Sequence, residues 1–208
     1  MSTTQPHPAR SLDEKHAPGD PLVLFDHWFQ DASNAGIALP ESMTLATTTP
    51  EGKPSARVVL LKAVEDGGFV FYTNYESRKG KELAAAPHAA LVFHWAPLER
   101  QVRVEGRVTQ VSEETSDAYF ATRPLGSRHS ALASPQSSVV SNRAWLEEQV
   151  KSIVARYGHE VPRPPHWGGY CVHPESIEFW QGRADRLHDR LVYGRKGDGE
   201  WSLVRLAP

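Results

Sequence analysis

Hydrophobic positions along this chain change their period once, early on. Asp20 followed by Pro21 is an N-cap and first-turn pair, and Leu22, Phe25, Trp28, Phe29 and Ala32 then recur at helical spacing until Gly36. That stretch predicts one amphipathic helix packed on a core. From Met43 the period shortens towards two, with Thr, Val, Leu, Phe and Tyr in short runs separated by PEGKP, EDGG and, later, KGDG, each a hairpin turn signal. Strands are expected over 43–49, 55–63, 68–73, 89–95 and 100–111, and a second group over 169–173, 176–181, 187–194 and 201–206. Helices are expected from Ser77 up to Pro87, from Ser112 to Thr122 ahead of Pro124, and from Asn142 to Tyr157. The sum is α+β, mainly β: an antiparallel β-barrel with helices packed around it, rather than a doubly wound sheet.

Residues 1–19 lack periodicity and are rich in Pro, Ser, Thr and charge, which predicts a mobile N-terminal arm outside the core, with 20–208 as a single domain. GHEVPRPPHWGG reads as a long irregular connection in which Gly168–Gly169 permits a tight turn. The formal charge of −2 gives no overall field towards nucleic acid or an anionic membrane, so any anion site is local. There is no apolar run of about eighteen residues and no secretory-type opening, which points to the cytoplasm. A single cysteine, Cys171, excludes an internal disulfide and a multi-thiolate metal site; it reads as a small buried hydrophobe in a strand. The ten histidines are scattered, and no metal site is expected. No glycine-rich dinucleotide fingerprint, GxxxxGK[ST] loop, HExxH or GxSxG occurs.

Basic residues on strands are the remaining signal. Arg57 and Lys62 bracket RVVLLK, either as charges at the two solvated ends of a buried strand or as ligands on opposite faces. In RLHDR, Arg186, His188 and Arg190 alternate and would share one strand face spanning roughly 13 Å. That row is either a solubilising surface or an anion seat, with Trp180 and Gln181 of EFWQG close by. In FYTNYESRKGKEL, Tyr72 and Thr73 end a strand, and Ser77 opens a helix whose first turn carries Arg78 and Lys79. Hydroxyls, backbone N–H groups and two cations converge there, and cations at a helix N-terminus oppose its dipole unless an anion joins them. Tyr119 and Arg123 lie one helical turn apart with Ser127 beyond Pro124, and Gln136, Ser137 and Ser138 follow on a loop; alone, these read as ordinary surface.

Taken in order, RVVLLK (57–62), FYTNYESRKGKEL (71–83), WAPLERQVRVEG (95–106), YFATRP with Ser127, SPQSS (134–138), WGGY (167–170) and IEFWQGRADRLHDR (177–190) resemble the pyridoxine/pyridoxamine 5'-phosphate oxidase family over about residues 20–208. The resemblance implies a split β-barrel, a homodimer, and FMN held at the subunit interface. By motif it implies FMN contacts from Arg57, Val58, Val59, Leu60, Leu61, Lys62, Tyr72, Thr73, Arg78, Lys79, Gln101, Gln136, Ser137, Trp180 and Arg190. It implies a 5'-phosphate grip from Lys62, Tyr119, Arg123 and Ser127, and Arg186, Leu187 and His188 against the pyridine ring, with Arg186 and His188 the catalytic pair. The implied reaction is oxidation of pyridoxamine or pyridoxine 5'-phosphate by O2 to pyridoxal 5'-phosphate. One departure stands out: the Arg-x-x-Tyr element that family members often carry in the arm is missing, since PARSLDEKHAPGD has no Tyr and Arg10 stands in for only part of it. A related phenazine-forming branch shares RLH-type endings, but the retained phosphate grip argues for the vitamin substrate. A split-barrel protein that only carries flavin or another planar ligand would not require Arg186 and His188.

Overall fold

The computed structural model describes residues 12–197 and 199–208. Helix α1 (Pro21–Asn34) is capped by the Asp20 carboxylate, which accepts from the Leu22 N–H, and ends where Gly36 takes a positive φ of 70°. Nine strands follow: β1 (Ser42–Thr48), β2 (Pro54–Leu60), β3 (Ala63–Glu65), β4 (Gly68–Asn74), β5 (His88–Trp95), β6 (Arg100–Gln110), β7 (Trp167–Gln181), β8 (Asp189–Arg195) and β9 (Trp201–Arg205). The helices between them are α2 (Arg78–Ala85), α3 (Glu113–Thr122), α4 (Leu125–Ala133) and α5 (Arg143–Tyr157). All pairings are antiparallel, in the order β2-β1-β5-β6-β7-β4-β3, with β8 on β7 and β9 on β8. The antiparallel β-barrel expected from the alternation is what forms.

The barrel is split along β7. Its first half pairs with β4 (Trp167 opposite Asn74) and its second half with β8 (Gln181 opposite Asp189), while β6 runs beside both. Leu45, Phe69, Phe71, Leu91, Phe93, Val102, Val104, Val172, Ile177, Phe179 and Leu191 fill the interior, and α1 lays Phe25 and Trp28 across it. Phe25 meets Phe69 and Phe93 edge-on at 4.9 and 5.0 Å, and Trp28 meets Phe179 at 5.2 Å, geometries that aromatic quadrupoles favour.

Several expectations need correction. The two strands over 169–173 and 176–181 are one, because Pro174 sits opposite Gly106 where the β6–β7 register shifts, and a bulge tolerates proline within a strand. Gly106 permits this close approach: a Cβ there would lie 1.9 Å from the His173 carbonyl oxygen. Gly168 and Gly169 do not turn but lie within β7, where a Cβ on Gly168 would meet the Tyr75 hydroxyl at 2.1 Å. The strand expected at 187–194 starts only at Asp189, since Asp185 and Arg186 adopt left-handed backbone with φ of 55° and 60°. Short β3 and helix α4 escaped the pattern. The expected arm falls partly inside the fold: Leu12 is 7% exposed and joins the core, and Tyr193 donates to the Pro18 carbonyl at 2.7 Å. Arg10 lies outside the described residues. Cys171 is buried in β7, and that burial pushes its thiol up to about 11. Among the described residues no helix is long and apolar enough to cross a membrane.

Candidate functional site

The first site begins where β4 hands over to α2. Ser77 caps α2 by accepting from the Gly80 N–H, which brings Glu82 to face β1 and β2 and Lys79 to face the end of β4. The Glu82 carboxylate is buried and receives Thr47 Oγ1, Ser55 Oγ at 2.6 Å, Arg78 Nε at 2.9 Å and Arg57 Nη2 at 3.2 Å. The same two hydroxyls accept from the Arg57 guanidinium. Burial works to raise the Glu82 pKa, but these donors overcome it and hold the carboxyl down to about 2. Lys79 Nζ reaches Gln136 Oε1 at 2.7 Å, Thr73 Oγ1 at 3.1 Å and Ser77 Oγ at 3.2 Å, all neutral oxygens. Burial first and the neighbouring Arg57 second push the Lys79 ammonium down to about 8. Two arginines thus share one carboxylate with a third cation, Lys79, beside them, and the excess positive charge suits an anion.

Beside this cluster lies an aromatic stack. Tyr72 stacks on Tyr119 at 3.9 Å and on Trp167 at 5.5 Å, and the Arg123 guanidinium sits 4.6 Å over the Trp167 ring. Arg123 is not on the α3 face but just past its end, at φ −70° and ψ 146°, where the turn into Pro124 swings it onto Trp167. Its Nη1 is buried and lacks a hydrogen-bond partner among the described residues, and burial lowers its pKa. An unmatched buried guanidinium N–H is costly, and a ligand oxygen would relieve it. Arg123, Ser127, Gln136, Asn74 and Trp167 line one cavity of about 340 Å³.

The second group sits at the far end of β7. Trp180 lies opposite Gln101 on β6 and Arg190 on β8, and its ring contacts His188 at 4.6 Å. Arg190 is spent on Glu178, through Nε at 2.8 Å and Nη2 at 3.2 Å, and on the Ala207 carbonyl. His188 Nδ1 accepts from the Arg183 N–H at 3.1 Å. Arg186 and Leu187 are exposed on the turn before β8, Leu187 at 72%. The expected row of Arg186, His188 and Arg190 on one strand face does not form, because only Arg190 belongs to the strand. Trp167 and Trp180 stand thirteen residues apart on β7, roughly 40 Å of contour at about 3.3 Å per residue.

Comparison with known proteins resolves what these two ends belong to. Residues 29–157 match the model of the pyridoxamine 5'-phosphate oxidase family, and residues 167–208 match the pyridoxine 5'-phosphate oxidase C-terminal dimerisation region. The chain belongs to the pyridoxamine 5'-phosphate oxidase family. It is 58% identical over 200 residues to proteins named pyridoxine/pyridoxamine 5'-phosphate oxidase from Burkholderia vietnamiensis and Burkholderia multivorans, covering 95% of this chain and 94% of each relative. It also resembles the solved structure of PhzG from Burkholderia lata in complex with tetrahydrophenazine-1-carboxylic acid, at 31% identity and a TM-score of 0.90 over 96% of this chain and 99% of that one. An FMN-binding protein from Nostoc punctiforme related to the family shares the fold at 18% identity and a TM-score of 0.72, over 92% of this chain and 98% of that one.

The cofactor of the oxidase family is FMN, and the first site fits its phosphate: Arg57 and Arg78 share a single carboxylate, and Lys79 beside them is a partly buried cation held only by neutral oxygens. Among the other residues matched to the family's motifs, Thr73 and Gln136 join this cluster directly through Lys79. Ser137 follows Gln136 on the exposed loop in left-handed backbone, φ 71°. Val58 is 66% exposed on β2, Val59 packs against the core and Leu61 is buried in it. Leu60 closes the strand that carries Arg57. Lys62 lies past that strand, its N–H donating to the Val70 carbonyl beside β4, and lines a different cavity with Phe25, Asp26 and Phe29 of α1. Gln101, Trp180, Arg190, Arg186, Leu187 and His188 collect at the other end, within or beside the dimerisation region. Motif reading missed Glu82, although its i+4 spacing from Arg78 was visible, and also Thr47, Ser55, Asn74 and the role of Trp167.

Proposed function

We propose that this chain is a pyridoxamine/pyridoxine 5'-phosphate oxidase, working in the cytoplasm as a homodimer in which each FMN site draws one end of β7 from one subunit and the other end from its partner. The observation that carries the dimeric site is the division of the motif residues between two ends of one long strand, combined with the match of residues 167–208 to a dimerisation region. Arg57, Arg78, Lys79, Thr73 and Gln136 hold the FMN phosphate, Tyr72 flanks it, and Trp180, Arg190 and Gln101 of the partner subunit complete the site. The orphaned Arg123 Nη1, with Ser127 and Tyr119, receives the substrate phosphate; Lys62, which lines a separate cavity against α1, would have to reach across to join this grip.

FMN, when bound, supplies the redox chemistry: a hydride leaves the substrate's 4' carbon and the electron pair passes on to O2, so that pyridoxamine 5'-phosphate, O2 and water give pyridoxal 5'-phosphate, ammonia and H2O2. The protein's part is orientation. Arg123 of one subunit fixes the phosphate at one end of the substrate, and Arg186 and His188 of the partner subunit fix the ring at the other, so the 4' carbon is presented in one pose. Arg186 sets a positive charge against the ring and His188 offers a hydrogen-bond donor through Nε2. The enzyme purified in its native state should be yellow and should form the aldehyde from pyridoxamine 5'-phosphate in air; a colourless protein that takes up no FMN, or a yellow one that forms no aldehyde, removes this reading. A second reading, oxidation of a phenazine-type carboxylic acid, is favoured by the PhzG likeness, since Arg123 would also receive a carboxylate. Side-by-side assay of the two substrates separates them, and the higher identity to the vitamin-phosphate oxidases supports the first.

A further inference from the structure

The turn ahead of β8 is built in an unusual way. Asp185 and Arg186 both adopt left-handed backbone without being glycine, a conformation that persists only when its surroundings enforce it. The enforcement comes from Asp189. Its Oδ2 accepts from Arg183 Nε at 2.6 Å, across the turn, and its Oδ1 accepts from Arg205 Nη1 at 2.7 Å, on the last strand. Arg205 in turn donates to both carboxylate oxygens of Glu14, at 2.8 and 2.9 Å, and to the Leu12 carbonyl at 2.9 Å. Burial works to raise the Asp189 pKa, and the two guanidinium hydrogen bonds outweigh it and hold it below the usual carboxylate value.

The Arg183 that Asp189 grips by its side chain is also the residue whose backbone N–H donates to His188 Nδ1. An imidazole nitrogen that accepts a hydrogen bond from a backbone amide carries no proton, so in the neutral ring the proton sits on Nε2. The ring plane is limited from the other side by Trp180, 4.6 Å away. We propose that Asp189 is a positioning residue for His188: by clamping Arg183 it holds the strained turn, fixes the ring as an Nε2–H donor, and ties its orientation to the N-terminal segment through Arg205. This rests on the reading of His188 as a substrate-facing residue given above.

The test uses the FMN-loaded enzyme, with histidine nitrogens isotopically labelled and the His188 signals assigned by their disappearance in His188→Gln. In the unaltered enzyme Nδ1 should report a bare nitrogen and Nε2 a protonated one. Asp189→Asn should blur that distinction and lower kcat about ten- to a hundred-fold, the cost of a misplaced catalytic group, while FMN affinity and the substrate KM, dominated by the two phosphate-binding clusters at the opposite end of β7, stay within about twofold. Arg183→Ala leaves the Asp189–Arg205 link intact and should give the same split, which keeps the test valid if Asp189→Asn folds poorly. An Asp189→Asn or Arg183→Ala enzyme with unaltered turnover, or with an unaltered His188 nitrogen pattern, overturns the proposal. If His188→Gln itself turns over normally, the functional reading of His188 fails, and the nitrogen spectra of the Asp189 and Arg183 variants still decide whether the clamp exists.

Discussion

The two ends of β7 are both rich in arginine, yet they manage charge in opposite ways. At the Trp167 end, Arg57 and Arg78 share the single carboxylate of Glu82, Lys79 beside them meets only neutral oxygens, and Arg123 has no anionic partner among the described residues, only the Trp167 and Phe120 rings. At the Trp180 end four arginines already have carboxylates, with Arg186 on the exposed turn outside these pairs: Arg190 and Arg103 have Glu178, Arg183 has Asp189, and Arg205 has Glu14 and Asp189. The lesson is that arginine content alone does not mark an anion site. An anion is called for where cations outnumber their counter-charges in a partly desolvated place; where they are matched, they act as struts.

That contrast can be broken by experiment. The largest effect should come from Glu82→Ala, which strips the one buried counter-charge from two arginines and should cost about 3–5 kcal/mol of stability, read as a lowered urea midpoint. Because the Glu82 carboxyl is depressed to about 2, its contribution is complete above the ordinary carboxylate range and is lost as the pH falls from there towards 2, so the wild-type midpoint should decline over that window and the Glu82→Ala midpoint less so. Next, Arg123→Ala should weaken substrate binding by about 1.5–3 kcal/mol, the range for a hydrogen bond to a charged group, seen as a KM raised roughly ten- to a hundred-fold; an unchanged KM would take Arg123 out of the phosphate grip.

A smaller effect should follow from pH. Lys79, held down to about 8, is half-charged there and loses its remaining charge above it, so FMN affinity in a fluorescence titration should fall as the pH climbs through 8, and Lys79→Arg should flatten the curve. The smallest should come from Glu14→Gln at the matched end, an exposed pair whose loss should leave the melting midpoint without a resolvable shift. A large shift there would mean that the Trp180 end depends on its struts more than the charge count implies.

Much of this was legible in the sequence. Alternating burial marks β2 and β6, a near-continuous apolar run marks β4 because it is buried on both faces, and Asp20–Pro21 marks α1 through capping chemistry that acts over four residues. The cation cluster at Ser77–Lys79, proposed above as a phosphate seat, was legible for the same reason: its parts are adjacent in the chain. What stayed hidden depends on distant partners or on backbone that side-chain identity does not announce. Nothing in Ala184–Asp185–Arg186 signals left-handed φ, since neither residue is glycine, so the RLHDR alternation looked like strand. Helix α4 was obscured by Pro124, which ends α3 and serves at the same time as the residue entering α4. Arg123 meets Trp167 only through a contact forty-four positions away in sequence, which no local pattern encodes.

The bulge at Glu105 and Gly106 has a genetic consequence. Because β7 carries Trp167 at one end and Trp180 near the other, the offset locked in opposite Pro174 sets the phase of the two ends relative to each other, and slipping the pairing by one position would turn every side chain beyond it to the wrong side of the sheet. A bulky replacement of Gly106 should therefore score as a double defect, in cofactor retention and in turnover together, although the altered codon touches neither ligand.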